Sequence, residues 1–180
     1  FQDIKLEHFI PAISSGIKAS EFALKEITDC GDNPTFENTI LALELSGQNL
    51  DTATRVYYHL FNSESDQNLK DLSDKISPML AEFENNVYLN EKLFKRIEVV
   101  FHNKHLLKDK EDIRLTEVIY NDFVKNGAAL SISDKSKLRE IDKNLSTLSP
   151  QFSKNTLNAT NEFELWLDKK DLEGLPDTVV

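Results

Sequence analysis

The sequence predicts an all-α fold, a bundle or array of about six helices with one short strand near its C-terminal end. Three observations predict it. Apolar residues recur at steps of three and four along nearly the whole chain. Among 180 residues there are only five Gly and five Pro, so helix breakers are scarce. One stretch alone, from Phe163, changes to the alternation of a strand.

A first helix is expected over residues 11–29, with Ile13, Ile17, Leu24 and Ile27 on one face. Pro11 suits its first turn, where an amide has no intrahelical partner. Gly31-Asp32-Asn33-Pro34 makes a turn and leads into the next start. The second helix, residues 35–62, carries the longest seam: Phe36, Ile40, Leu43, Gly47, Leu50, Thr54, Tyr57 and Phe61. Gly47 costs about 1 kcal/mol of helix propensity against Ala. A close helix crossing explains it, or a local bend.

Residues 63–66 break the pattern, and Ser65 or Asp66 can cap a third helix bearing Leu69, Leu72, Ile76, Leu80, Phe83 and Val87. Pro78 should kink it near Ser77 or divide it. Asn90 caps a fourth helix to about Val100, with Leu93, Phe94 and Ile97 inward. Residues 102–109 read as a loop. A fifth helix, residues 111–126, ends at Gly127, which fits a left-handed C-terminal position. Ser133-Asp134 starts a long sixth helix with Leu138, Ile141, Leu145, Leu148 and Phe152 on one side and a kink expected at Pro150. Phe163, Leu165 and Leu167 then alternate with Glu162, Glu164, Trp166 and Asp168. A lone strand is not stable, so its partner is expected downstream of Val180.

Hydrophobic residues at 39%, eleven of them Phe, suffice for a core. A net charge of −10 argues against nucleic acid and anionic membrane as main partners, and is read as a solubility feature. The single cysteine, Cys30, excludes an internal disulfide and reads as a structural thiol. No apolar run approaches the ~18 residues of a membrane span. The chain opens at Phe1 without Met and closes on Val179-Val180, so both ends read as cuts. The expected compartment is the cytoplasm, or the periplasm if a signal peptide was removed. Sequons at Asn144 and Asn158 fall inside a predicted helix and are taken as chance.

Chemistry should leave clusters, and the sequence shows few. The histidines are His8, His59, His102 and His105. His102 and His105 are spaced to share a helical face, but they fall where the helical pattern fails and nothing completes a metal site. A solvated polar loop is the plainer reading. There is no His-Glu-x-x-His, no cysteine pair, no phosphate loop and no Gly-x-Ser-x-Gly. Acidic clusters at residues 64–66 and 109–112 sit at helix starts, where the dipole favours them. Tyr58 and Trp166 fall off the apolar seams, and are the candidates for a lobe contact or a channel wall.

The ordered wording of the chain resembles one family. Asp3-Ile4-Lys5, Glu7-His8-Phe9 and Pro11-Ala12 open it, and the stretch from Pro34-Thr35-Phe36-Glu37-Asn38-Thr39-Ile40 to Gly47 carries the strongest signature. Ser77-Pro78 with Leu80-Ala81, Leu89-Asn90, Leu93 to Ile97 and Asp122 to Ala128 follow in order. So do Leu145 to Leu148, Gln151-Phe152-Ser153, Asn155, Ala159-Thr160-Asn161, and Leu172 with Gly174-Leu175-Pro176. Together they resemble the N-terminal region of the thimet-oligopeptidase-type zinc metallopeptidases. Within that family they most resemble the bacterial peptidyl-dipeptidases (dipeptidyl carboxypeptidases), with the oligopeptidases A next. Pro150 departs from the pattern, where the family has a helix-compatible polar residue.

The resemblance implies an almost wholly helical, two-lobed enzyme with a deep channel for short, unstructured peptides. It implies zinc on a His-Glu-x-x-His helix plus a later Glu, none of which occurs in these 180 residues. No catalytic or metal residue is therefore carried over, and the chain by itself is expected to be inactive. Residues 1–160 are expected to form a helical lobe lining one wall of the channel. Residues 161–180 would hold the strand and begin the connection to a missing C-terminal catalytic lobe. A stand-alone helical interaction module, binding a partner helix along the Phe36–Phe61 seam, is the alternative. An independent hydrolase fails for want of convergent His, Cys or Ser residues.

Overall fold

The computed structural model describes residues 3–63, 67–174 and 176. Every regular element among them is helical. Helix α1 spans Leu6–Asp29, five residues more than the sequence predicts at its start. The Lys5 amide donates to His8 Nδ1 at 3.2 Å and fixes that first turn. Pro11 therefore lies inside the helix. The burial of Phe9 and Ile13 holds the turn on the core despite the missing donor.

The predicted second helix is three consecutive pieces. A π-helical turn, Phe36–Leu41, runs into α2, Ala42–Ser46; after Gly47 the chain resumes as α3, Gln48–Ser63. Thr35 caps the start, its Oγ1 accepting from the Asn38 amide at 3.2 Å while Asn38 Oδ1 accepts from the Thr35 amide at 2.8 Å. Gly47 has φ −98° and ψ −1°, and no atom lies within 4 Å of where its Cβ would stand. It is the bend, not the crossing. The close crossing belongs to Gly16, where a Cβ would come 2.8 Å from Leu50 Cα. Nearby, Ser20 Oγ donates to the Ser46 carbonyl at 3.0 Å.

Helix α4, Gln67–Tyr88, is continuous through Pro78, so the expected division does not occur. The expected caps Ser65 and Asp66 lie outside the described residues. Asn90 caps α5, Glu91–His102, by accepting from the Leu93 amide at 3.1 Å. A 3₁₀ turn at Lys104–Leu106 leads to α6, Lys110–Lys125, and Gly127 follows at φ +92°, the left-handed position the sequence calls for. Helix α7, Ile132–Glu162, is capped by Ser131 rather than by Ser133-Asp134, and continues through Pro150. The expected strand is not formed among the described residues. Residues 163–168 carry no regular structure, with Phe163, Leu165, Trp166 and Leu167 exposed. Alternation makes a strand only where a neighbouring backbone supplies the ladder, and none does here.

Two apolar clusters form the core. One gathers Leu24, Ile27, Phe36, Ile40, Leu93, Ile97, Val100 and Phe123; the other gathers Phe9, Ile13, Leu50, Tyr57, Leu69 and Ile76. Helix α1 enters both, and Phe83 of α4 touches both. Arg96 locks the turn between α1 and the π-helical turn. Its Nη1 donates to the carbonyls of Cys30 (3.0 Å) and Asp32 (3.2 Å), and its Nη2 to Asn38 Oδ1 (3.1 Å). Helix α7 gives neither cluster a buried apolar side chain. It lies antiparallel along α4, tied by Lys154 Nζ–Asp71 Oδ1 at 3.2 Å and Arg139 Nη1–Asn86 Oδ1 at 2.9 Å.

Candidate functional site

Because α7 rests chiefly on α4, an open cleft of about 860 Å³ runs between α3 and α7. Helix α4 is the floor, and α3 and α7 are the walls. Tyr58 and Phe61 project from α3, Leu80 from α4 and Leu145 from α7, giving an apolar lining. At one end the lining turns acidic, with Asp51 from α3, Glu84 from α4 and Asp142 from α7. Asp51 is held by Arg55 Nε at 2.8 Å, so the one guanidinium of the cleft is engaged within its own wall.

The titrating groups follow from this placement. Burial pushes the Glu84 carboxyl above its ordinary range, and the Asp142 charge on the facing helix pushes it further the same way. Glu84 still reaches water, because it stands at the bottom of an open cleft. Tyr88 is raised by burial, then by Asp122 and Glu84. Tyr57 is fully buried; burial is the largest cause of its raised phenol, whose hydroxyl donates to the Leu69 carbonyl at 3.0 Å. Both phenols stay neutral; Tyr88 lines the cleft, and Tyr57 lies buried behind Tyr58.

Of the two candidates from the sequence, Tyr58 lines the cleft, 37% exposed, with its ring edge-on to Tyr57 at 5.1 Å. Trp166 stands outside it, 87% exposed, its Nε1 donating to Glu164 Oε2 at 3.1 Å. The structure does not bring them together. Sequence reasoning missed Glu84 and Asp142. The available signal was Leu80-Glu84-Tyr88, a helical stripe with a carboxylate in an otherwise apolar face.

The cleft lining holds neither histidine nor cysteine. His102 ends α5 and His105 lies in the 3₁₀ turn, and no group of three His, Cys, Asp or Glu among the described residues is placed to hold a metal ion. The donor set of the cleft, carboxylates without histidine or cysteine, does not fit zinc. Of the Phe36–Phe61 seam, Phe36, Ile40, Leu50 and Tyr57 are buried, while Gly47, Thr54 and Phe61 border the open cleft. The exposed apolar strip lies instead on α7, at Ile141, Leu145, Leu148 and Phe152, the last 72% exposed. Among the described residues no helix is long and apolar enough to cross a membrane.

No family model matches the chain. It is 37% identical over 88% of its length to the dipeptidyl carboxypeptidase of Escherichia coli, and 34% identical over 93% to that of Salmonella typhimurium. It is also 28% identical over 100% of its length to oligopeptidase A of Haemophilus influenzae. The matches cover 24%, 25% and 27% of those proteins, so the chain spans about a quarter of the length of these relatives.

Proposed function

We propose that this chain, a homologue of the thimet-oligopeptidase-type peptidases, is the non-catalytic helical lobe of a zinc metallopeptidase that hydrolyses short peptides. The observation that carries the reading is the 37% identity to a dipeptidyl carboxypeptidase over 88% of this chain but only 24% of that enzyme. On this reading residues 1–160 form one wall of the substrate channel, Tyr58 faces it, and residues 161–180, with Trp166, begin the connection to the catalytic part. The greater identity to the two dipeptidyl carboxypeptidases than to the oligopeptidase A favours release of C-terminal dipeptides over internal cleavage. Zinc, held elsewhere in the protein, would polarise the scissile carbonyl and its attacking water. This chain's own residues bind, exclude folded proteins by size and orient. The exposed strip on α7 and the apolar residues at 163–167 support the reading, since a face of that kind is covered in a finished protein. Either the cytoplasm or, after loss of a signal peptide, the periplasm suits such an enzyme.

The test compares the 180-residue chain with the longer protein that its gene encodes. Both are given a blocked tetrapeptide, with and without chelator. The longer protein should release a dipeptide in a chelator-sensitive way, and the chain should release none. Chelator-sensitive turnover by the chain itself would overturn the assignment.

A further inference from the structure

Glu84 and Asp142 meet across the interface of α4 and α7 in a cleft that Tyr58, Phe61, Leu80 and Leu145 also line. Neither carboxylate has a cationic partner among the described residues. Arg55 pairs instead with Asp51 at 2.8 Å, and Arg139 with Asn86 at 2.9 Å. Two like charges facing one another in a partly desolvated site repel. The Glu84 carboxyl is raised first by burial and then by the Asp142 charge. A cation placed between them would offset that repulsion.

We propose that the cleft between α3, α4 and α7 takes an extended peptide segment bearing an arginine or lysine between apolar residues, with the cation lodged between Glu84 and Asp142. The charge complementarity selects the cation. The apolar lining at Tyr58, Phe61, Leu80 and Leu145 selects the flanking residues. About 860 Å³ is within the range of sites that hold small peptides and peptide-sized ligands. Arginine suits the place better than lysine, because its planar donors can reach two carboxylates on different helices at once. The proposal rests on the reading that the protein acts on peptides, and names which peptides its wall prefers.

The probe is a fluorescein-labelled Ala-Leu-Arg-Phe-Ala pentapeptide, beside its citrulline counterpart of the same shape and no charge. Fluorescence anisotropy with the 180-residue chain should show the arginine peptide binding at least about tenfold more tightly, with the difference shrinking as salt rises. The double variant Glu84→Gln/Asp142→Asn should bring the two peptides within about twofold, while still melting cooperatively by circular dichroism at or above the parent's temperature. Tyr58→Ala should weaken both peptides equally. Equal affinity for the two peptides, no binding of either, or a preference that survives the double variant each overturns the proposal. So does binding by the chain that vanishes in the longer protein, because the cleft is then filled by another segment of it. The functional reading stands apart from these outcomes. Chelator-sensitive hydrolysis of the citrulline peptide by the longer protein supports it whether or not the cleft prefers arginine.

Discussion

Two glycines separate what a helix needs from what a crossing needs. A methyl at Gly16 would meet Leu50 Cα at 2.8 Å, a backbone atom that cannot swing aside. A methyl at Gly47 would meet nothing within 4 Å, at a φ that alanine accepts. Gly16→Ala should therefore destabilise by about 1–3 kcal/mol, the usual range for overpacking. Gly47→Ala should be neutral or stabilise by up to about 1 kcal/mol. Urea unfolding of the two variants decides, and the reverse order would remove the crossing from the fold. Sequence reasoning read Gly47, on the seam of the long helix, as a crossing or a bend, and it is the bend; Gly16 declares itself only once α3 lies across α1. Arg96 was hidden the same way, since its acceptors lie 58 to 66 residues away. Glu84 gives the pH test. Its carboxyl is raised in the folded chain, so its neutral form suits the fold, and the stability it allows is present below the ordinary glutamate range and lost as pH rises through the raised value. The groups facing it are Asp142 from α7, Asp51 and Arg55 from α3 and Tyr88 on its own helix. Glu84→Gln should raise the melting temperature at pH 7 relative to the parent, and the gap should close by about pH 4, near the unperturbed glutamate value. A gap that widens on acidification would reverse the sign of the argument.

At the scale of elements, the strongest motif in the sequence is a hydrogen-bonded corner. Asn38 Oδ1 accepts from the Thr35 amide (2.8 Å), Thr39 Oγ1 (2.8 Å) and Arg96 Nη2 (3.1 Å), while its Nδ2 donates to the Asn33 carbonyl at 3.0 Å. Phe36 and Ile40 drop from the same turn into the core. The motif thus joins the end of α1, the π-helical turn and α5, which explains its residue types without any chemistry at the site. Thr35→Ala should cost about 1 kcal/mol, as helix caps do. Asn38→Ala should cost more, because it also strips a partner from a buried guanidinium. A double-mutant cycle of Asn38→Ala with Arg96→Met should return a coupling of at least about 1 kcal/mol; additivity would show that the corner holds by packing alone. Helix existence and the inward faces of α1 and α3 to α5 were legible in sequence because each follows from local period. The division of the second helix and the absent strand were not. The first depends on a bend that local propensity does not fix, and the second on a neighbouring backbone that no local pattern contains.

Across the whole molecule the stabilising contacts are unevenly spread, and that asymmetry is where function enters. Helices α1, α3, α4, α5 and α6 bury apolar residues, whereas α7 buries only Lys135, which pairs with Glu91 at 3.7 Å. The face of α7 read from the sequence as inward is real as a pattern, but Ile141, Leu145, Leu148 and Phe152 are exposed. Periodicity tells which residues share a face, and says nothing of whether the cover belongs to the same stretch of chain. The candidate cleft was illegible for a related reason, since its walls lie far apart in sequence and only Tyr58 was singled out. Two consequences can be measured on the 180-residue chain. Leu148→Ser with Phe152→Ser should shift unfolding by no more than about 0.5 kcal/mol, as exposed sites do, while Leu93→Ala should cost about 2–5 kcal/mol. Hydrogen exchange should find the amides of α7 beyond Pro150 opening well below the global unfolding energy, and those of α1 and α5 opening near it. In the longer protein the same α7 amides should become as protected as those of α5, because the apolar strip is then covered. Equal protection in the chain by itself, independent of concentration, would mean that α7 is anchored by α4 alone and that its exposed strip awaits no partner.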